Sequence, residues 1–296
     1  MIDVMMITKN EALNVPYSLK ALQGWTNKVF VVDSGSTDGT QDIARSLGAE
    51  VVHHDWPGYA KQKNWGLDNL PFESDWIFIL DADEVILPEL RDELLAVAKR
   101  KPDDVEHAGF HINRYFIFLG KRIRHCGYYP SWNLRYFRRG KARYEEREVH
   151  EHMVVDGSIG FLKGHMEHND RRGLEDYIAK HNHYSTLEAR ETVRQLKDGD
   201  SGDIDAKFFG DPLQRRRWIK HKVYPKLPMK WLFRFGFMYI LKLGILDGIN
   251  GFRFCLLMSA YEQQIQLKIL EILQNEQEAA EANVPAAPMA SDEASS

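Results

Sequence analysis

The stretch Trp76–Glu84, WIFILDADE, constrains this chain most. Five apolar residues run without alternation from Trp76 to Leu80. A run of that length with no polar member reads as a strand buried on both faces, as in an α/β sheet. It stops abruptly at Asp81-Ala82-Asp83-Glu84. Three carboxylates at the end of a buried strand repel one another unless a cation neutralises them. Period-two geometry puts Asp81 and Asp83 on the same side. Two hard oxygen ligands facing one way suit Mg²⁺ or Mn²⁺, with water and substrate phosphates in the remaining positions.

The tripeptide alone is weak evidence, because Asp-x-Asp also occurs at Asp198/Asp200 and Asp203/Asp205. Those pairs lie in LKDGDSGDID, a polar Gly-rich stretch that reads as a solvated loop. It misses the calcium-loop pattern, with Asp203 where glycine is required. Only the first pair follows a buried strand.

The segments before it alternate. Val4–Ile7 is a strand, and a helix with one apolar face follows from Ala12. Val29–Val32 is a second strand ending at Asp33, followed by the small-residue loop Ser34–Thr40 and a helix over Gln41–Leu47 capped by Thr37 or Asp38. Glu50–Val52 is a third strand, and Pro57–Leu70 a helix burying Ala60, Leu67 and Leu70. Such alternation implies parallel strands joined by right-handed crossovers, with ligands bound beyond the carboxyl ends of the strands. Thr8–Glu11, Asp33 and Asp81–Asp83 then line one rim.

Composition narrows the classes. With 296 residues, 44% hydrophobic and 28% charged, the chain is ordinary for a globular protein of one large domain with an appendage. A net charge of −4 gives no reason to expect a nucleic-acid partner. Two distant cysteines, Cys126 and Cys255, point to a reducing compartment. No secretory pattern opens the sequence, so the expected location is the cytoplasm.

The segments ITKNE (7–11), VVDSGSTDGT (31–40), KQKNWGL (61–67) and LDADE (80–84) together resemble the family 2 glycosyltransferases with the GT-A fold. The segment YPSWNLRYFRRGKARYEEREVHEH (129–152) resembles a bacterial subset that includes lipopolysaccharide inner-core β-glucosyltransferases. The resemblance implies a nucleotide diphosphate sugar as donor and a Rossmann-like, mostly parallel sheet with flanking helices. It implies donor contacts at Thr8, Asn10, Glu11, Asp33, Gln62, Lys63, Asn64 and Asp81. Asp81 and Asp83 would hold a divalent cation, Mg²⁺ or Mn²⁺, with His168 as a further possible ligand.

One displacement at the anomeric carbon inverts its configuration and needs a carboxylate to take the acceptor's proton. Val149-His150-Glu151 resembles the family's Val-His-Glu pattern, and the resemblance makes Glu151 the first choice and Glu148 the second. The spacing of His150 and His152 excludes a helical zinc-protease site. Tyr128, Tyr129, Trp132 and Tyr136 cluster where aromatic faces suit the C–H face of a sugar ring, and Trp132 is the best acceptor contact; core packing is the bland alternative. Arg135 and Arg138 would meet phosphate or flank an edge strand.

From Phe208 onward the chain becomes basic and aromatic, with Arg215-Arg216-Arg217-Trp218 leading to WLFRFGFMYILKLGIL (231–246) and then Phe252–Tyr261. Arg234 and Lys242 interrupt the first apolar run, so neither segment is a spanning helix. Basic residues among aromatics suit a helix lying in the membrane interface. The expected organisation is a catalytic domain over 1–205, a membrane-associated helical extension over 206–273 and a disordered tail over 274–296. The expected activity is inverting, metal-dependent sugar transfer to a glycolipid or lipid-linked saccharide at the inner face of the cell membrane. Transfer to polyprenyl phosphate and a silent nucleotide-sugar-binding subunit are the alternatives.

Overall fold

The computed structural model describes residues 1–145, 152–198 and 229–282. Strands β1 (Ile2–Thr8), β2 (Val29–Asp33), β3 (Glu50–His53) and β4 (Trp76–Ile79) are parallel, in the spatial order β3-β2-β1-β4. Between them run α1 (Val15–Leu22), α2 (Thr40–Ser46) and α3 (Tyr59–Asn69), matching the expected alternation. All four residues of β4 are buried. The reason is visible in the neighbours of its side chains. Phe78 joins Val4, Met6 and Val31 on one side of the sheet, while Ile77 and Ile79 join Met5, Phe30 and Val32 on the other. Period-two alternation under two apolar layers requires an unbroken apolar run.

Beyond β4 the sheet becomes mixed. It continues through β8 (Trp132–Arg138), β6 (Gly109–Phe118), β11 (Ile159–His168) and β5 (Glu84–Ile86), with β7 (Lys121–Ile123) paired to β6. β8 is antiparallel to both β4 and β6, whereas β6 and β11 are parallel. Helix α4 (Pro88–Ala98) packs on β11 at Gly164, where a Cβ would lie 2.4 Å from the Leu90 Cα. A two-stranded ribbon, β9 (Ala142–Tyr144) with β10 (Met153–Val155), stands apart from this sheet.

Two compact units divide the chain: Met1–Tyr177 with Met238–Phe254, and Ile178–Phe237 with Cys255–Ser296. This differs from the expected boundary near 205, because the segment 238–254 belongs with the sheet. Phe254 is fully buried and packs on Phe116, Phe118 and Tyr128, at ring-centroid distances of 5.2, 5.1 and 4.6 Å. In the second unit, α5 (Leu174–Asp198) and the long helix Gly248–Ala282 contribute most of the described residues. Lys268 Nζ there donates to the Asn182 carbonyl and to the Ser185 and Thr186 hydroxyls, each at 2.7 Å. The last helix runs to Ala282, past the point where composition suggests a tail. Its final turns, EQEAAEA, are built of strong helix formers. Among the described residues no helix is long and apolar enough to cross a membrane. The basic cluster Arg215–Arg217 lies outside the described residues.

Candidate active site

Parallel pairing brings the ends of β1 and β2 level, with Thr8 opposite Asp33. The Thr8 hydroxyl donates to Asp33 Oδ2 at 2.8 Å. Asp33 also accepts from the Gly35 and Ser36 amides at 3.0 and 2.8 Å and from the Gln41 side chain at 2.7 Å. Burial alone would raise its pKa, but these donors hold the carboxyl below its usual value.

The loop after β1 is then laced to the loop after β2. The Asn10 amide donates to Ser36 Oγ at 2.8 Å, and Asn10 Oδ1 accepts from the Thr37 amide at 2.9 Å. The Glu11 amide donates to Thr40 Oγ1 at 2.8 Å, and the Ala12 amide to Asp38 Oδ2 at 3.0 Å. Asp38 also accepts from the Thr40 amide at 3.1 Å, but the cap position itself falls to Gly39, in a left-handed conformation, rather than to Thr37 or Asp38. Thr8, Asn10, Glu11 and Asp33 therefore form one braced wall.

The acidic end of β4 departs from the sequence expectation. Strand geometry stops at Ile79, and the chain turns through Ala82-Asp83, closed by the Glu84 amide donating to the Asp81 carbonyl at 3.0 Å. Period two no longer applies, and the three carboxylates take different partners. Asp81 lies 3.2 Å from Lys63 Nζ through Oδ1 and pairs with Arg135 through Oδ2. Glu84, fully buried at the start of β5, pairs with Arg135 and Arg114 at 3.0 Å each. Asp83 Oδ2 lies 3.0 Å from His168 Nε2 at the end of β11.

Protein cations thus neutralise two of the three acids. Burial opposes ionisation of Asp81, but Arg135 and Lys63 hold its pKa far below the carboxylate range. Burial would lower the His168 pKa, and Asp83 raises it. Arg135 reaches both acids because β8 carries an extra residue there. Phe110 pairs with Tyr136 and the next residue, His111, with Leu134, leaving Arg135 in a bulge.

Asp83 and His168 offer one carboxylate and one imidazole. Among the described residues no group of three His, Cys, Asp or Glu side chains is placed to hold a metal ion. Two protein donors still fit Mg²⁺ or Mn²⁺, which take most of their ligands from water and phosphate. Asp81, with both oxygens engaged by cations, fits that role less well than Asp83.

Two donor-contact expectations on α3 look different in place. The Asn64 amide is buried, donating to the Tyr144 carbonyl and accepting from the Tyr144 amide, each at 2.9 Å. Both of its polar groups are used by the β9 backbone, so it supports the ribbon. Gln62, also buried, donates to Ser34 Oγ at 3.0 Å and meets His54 Nδ1 at 2.6 Å, fixing α3 against the end of β2. Lys63 alone of the three reaches the acidic turn.

A cluster not foreseen from sequence stands beside Asp83. Arg172 pairs with Glu11 at 3.1 Å and with Asp170 at 2.6 Å, and Asn14 donates to both acids at 2.8 and 3.0 Å. Burial pushes the Glu11 carboxyl up to about 7, with Asn14 and Arg172 opposing and Asp83 and Asp170 adding to the rise. The sequence signal was the charged turn NDRR (169–172) directly after a strand.

Trp132 is 41% exposed at the start of β8 and meets Phe161 edge-on, with centroids 5.0 Å apart. Tyr136 is core, fully buried and stacked on Trp76 at 4.9 Å. Tyr129 lies 3.0 Å from His165 Nε2 through its hydroxyl. Glu148 and Glu151 lie outside the described residues. The strands flanking them pair Tyr144 with Met153, and the Glu145 amide donates to the His152 carbonyl at 2.9 Å.

A family model described as glycosyl transferase family 2 matches residues 3–168. An uncharacterized glycosyltransferase of Rickettsia typhi is 29% identical over 212 residues, covering 66% of this chain and 69% of that one. LpsC of Rhizobium meliloti, a lipopolysaccharide core biosynthesis glycosyltransferase, is 35% identical over 185 residues, covering 57% of this chain and 64% of its own. The crystal structure of residues 1–349 of S. aureus TarS overlays with a TM-score of 0.43 and 15% identity, covering 93% of this chain and 91% of that one.

Proposed function

This chain belongs to glycosyltransferase family 2, and on that premise we propose that it transfers a sugar from a nucleotide diphosphate sugar to a glycolipid or lipid-linked saccharide, with inversion. The likeness to LpsC supports lipopolysaccharide core or surface-polysaccharide assembly as its setting, at the inner face of the cell membrane. The single observation that carries the reading is the rim where Asp33, Asp81 and Asp83 meet Thr8, Lys63 and His168.

The braced wall of Thr8, Asn10, Glu11 and Asp33 would receive the nucleoside. Lys63 and Arg135 set positive charge beside the acidic turn, where the diphosphate gains negative charge as the sugar leaves. Asp83 and His168 would hold Mg²⁺ or Mn²⁺, which as a Lewis acid stabilises a departing diphosphate. The acceptor hydroxyl forms its bond to the anomeric carbon as the bond from that carbon to the phosphate oxygen breaks. Its proton passes to a carboxylate, for which Glu151 is the first choice and Glu148 the second. Trp132 and Phe161 offer the acceptor an aromatic surface.

The test is donor hydrolysis across a panel of nucleotide sugars, with Mg²⁺, with Mn²⁺ and with chelator. Release of one nucleoside diphosphate that chelator and Asp83→Ala both abolish is the expected result. Turnover indifferent to both would remove Asp83 and the metal from the mechanism.

A further inference from the structure

The segment Phe237–Asp247 contains a π-helical stretch, Phe237–Leu241, and a 3₁₀ turn, Gly244–Asp247, before the last helix begins. With the first turns of that helix it makes up the stretch Met238–Phe254, which belongs to the first unit and has one side fastened to it. Asp247 accepts from the Arg124 and His125 amides at 3.1 and 2.8 Å, and the Lys242 carbonyl accepts from the Cys126 amide at 3.0 Å. Met238, Gly244 and Phe254 are buried. Gly251 sits so close to Gly244 that a Cβ would lie 2.1 Å from the Gly244 carbonyl oxygen. This is a fixed structure with a packed inner side.

The other side is apolar and open. Ile240, Leu241, Leu243, Ile245, Leu246 and Ile249 each leave more than half of their surface in solvent, Leu241 as much as 72%. Scattered single apolar residues on a surface need no explanation, but six large aliphatics within ten positions, held by a fixed scaffold, mark an interaction surface.

The charges beside it are basic. Lys242 and Arg253 lie in the stretch 238–254, and its single acid, Asp247, is turned to the inner side by the bonds above. Arg124 adjoins Asp247, and Lys121 lies on the hairpin whose Phe118 packs on Phe254. At the tip of that hairpin Leu119 is also exposed.

We propose that this face, Ile240–Ile249 with the Leu119 tip, inserts into the headgroup and acyl boundary of a bilayer rich in anionic lipid. Apolar residues enter, and Lys121, Arg124, Lys242 and Arg253 meet the lipid phosphates. The docking is monotopic, since no helix among the described residues can cross. It extends the membrane-side reading above, but vesicle binding needs no sugar donor and is judged separately from transfer.

The experiment is flotation of the full chain with phosphatidylcholine vesicles and with vesicles also containing phosphatidylglycerol. Binding to the anionic vesicles, at least about tenfold weaker in Leu243→Gln/Leu246→Gln, is expected from the loss of two buried aliphatic chains. Lys242→Glu/Arg253→Glu weakens binding only to the anionic vesicles. An unchanged thermal midpoint shows that each variant is folded. Three results overturn the proposal: the wild type floats with neither vesicle, the aliphatic variant floats as the wild type does, or the face proves to join two copies in a dimer that ignores vesicles.

Discussion

Lys63 Nζ stands 3.2 Å from one oxygen of Asp81 while Arg135 takes the other. The two cations are unequal in what they support. Arg135 also serves Glu84, which has no solvent exposure, whereas among the described residues Lys63 pairs with Asp81 alone. Arg135→Ala leaves the buried Glu84 with Arg114 and the Asp81 amide, without one of its two cations, and breaking a buried pair in this way costs about 3–5 kcal/mol. Lys63→Met leaves Asp81 paired and part-exposed, so its loss of stability is smaller. Urea unfolding of the two variants should rank them in that order.

Asp83 and His168 are coupled across the turn and the end of β11. Asp83→Asn should lower turnover about a hundredfold or more, as expected for loss of charge stabilisation at a leaving group. It should also abolish any Mn²⁺-dependent rise in the thermal midpoint, a readout that needs no acceptor. A variant that keeps the metal-dependent shift would assign the ion to other residues.

Asp33 supplies a prediction with a definite pH window. Its folded-state pKa lies below the ordinary value of 3.8, because its hydrogen bonds outweigh burial. A depressed carboxyl stabilises the fold above its unfolded pKa and loses that contribution as pH falls through the folded value. Asp33→Asn should cost about 2–3 kcal/mol at neutral pH, the worth of one or two bonds to a charged group. The gap between wild type and variant should hold down to about pH 4 and close below it. A gap that widens on acidification would reverse the assigned sign.

Asn64 distinguishes support from donor contact. Asn64→Leu strands the amide and carbonyl of Tyr144, so stability should fall by about 1–3 kcal/mol. If the ribbon carries the base, kcat falls while KM for the sugar nucleotide stays near wild type. A large rise in KM alone would return Asn64 to the donor site.

The first half of the fold was legible because its rules are local. Unbroken apolar runs specify β1, β2 and β4, and polar strand ends specify a shared rim. The second half was not, since nothing in GFHINRYFIF or WNLRYFR states that β8 enters antiparallel between β4 and β6. The acidic turn shows the same limit. LDADE announced charge that needs neutralising, yet the cations come from α3, β6 and β8, and Arg135 reaches its partners through a bulge that no spacing encodes. The motif reads Asn64 as a donor contact, and the use of its amide by the Tyr144 backbone leaves no local mark in the sequence. Composition likewise could not reveal that 238–254 returns to the sheet.

That return imposes an order on synthesis. Phe254 fills the space among Phe116, Phe118 and Tyr128, and Asp247 ties down the backbone at Arg124 and His125. On the ribosome, the strands that carry the acidic turn emerge long before the helical residues that pack on β6. Until residue 254 has left the exit tunnel, the β6–β7 hairpin lacks its aromatic plug. A chain broken off before that point would have its rim residues without the part that closes the far end of β6.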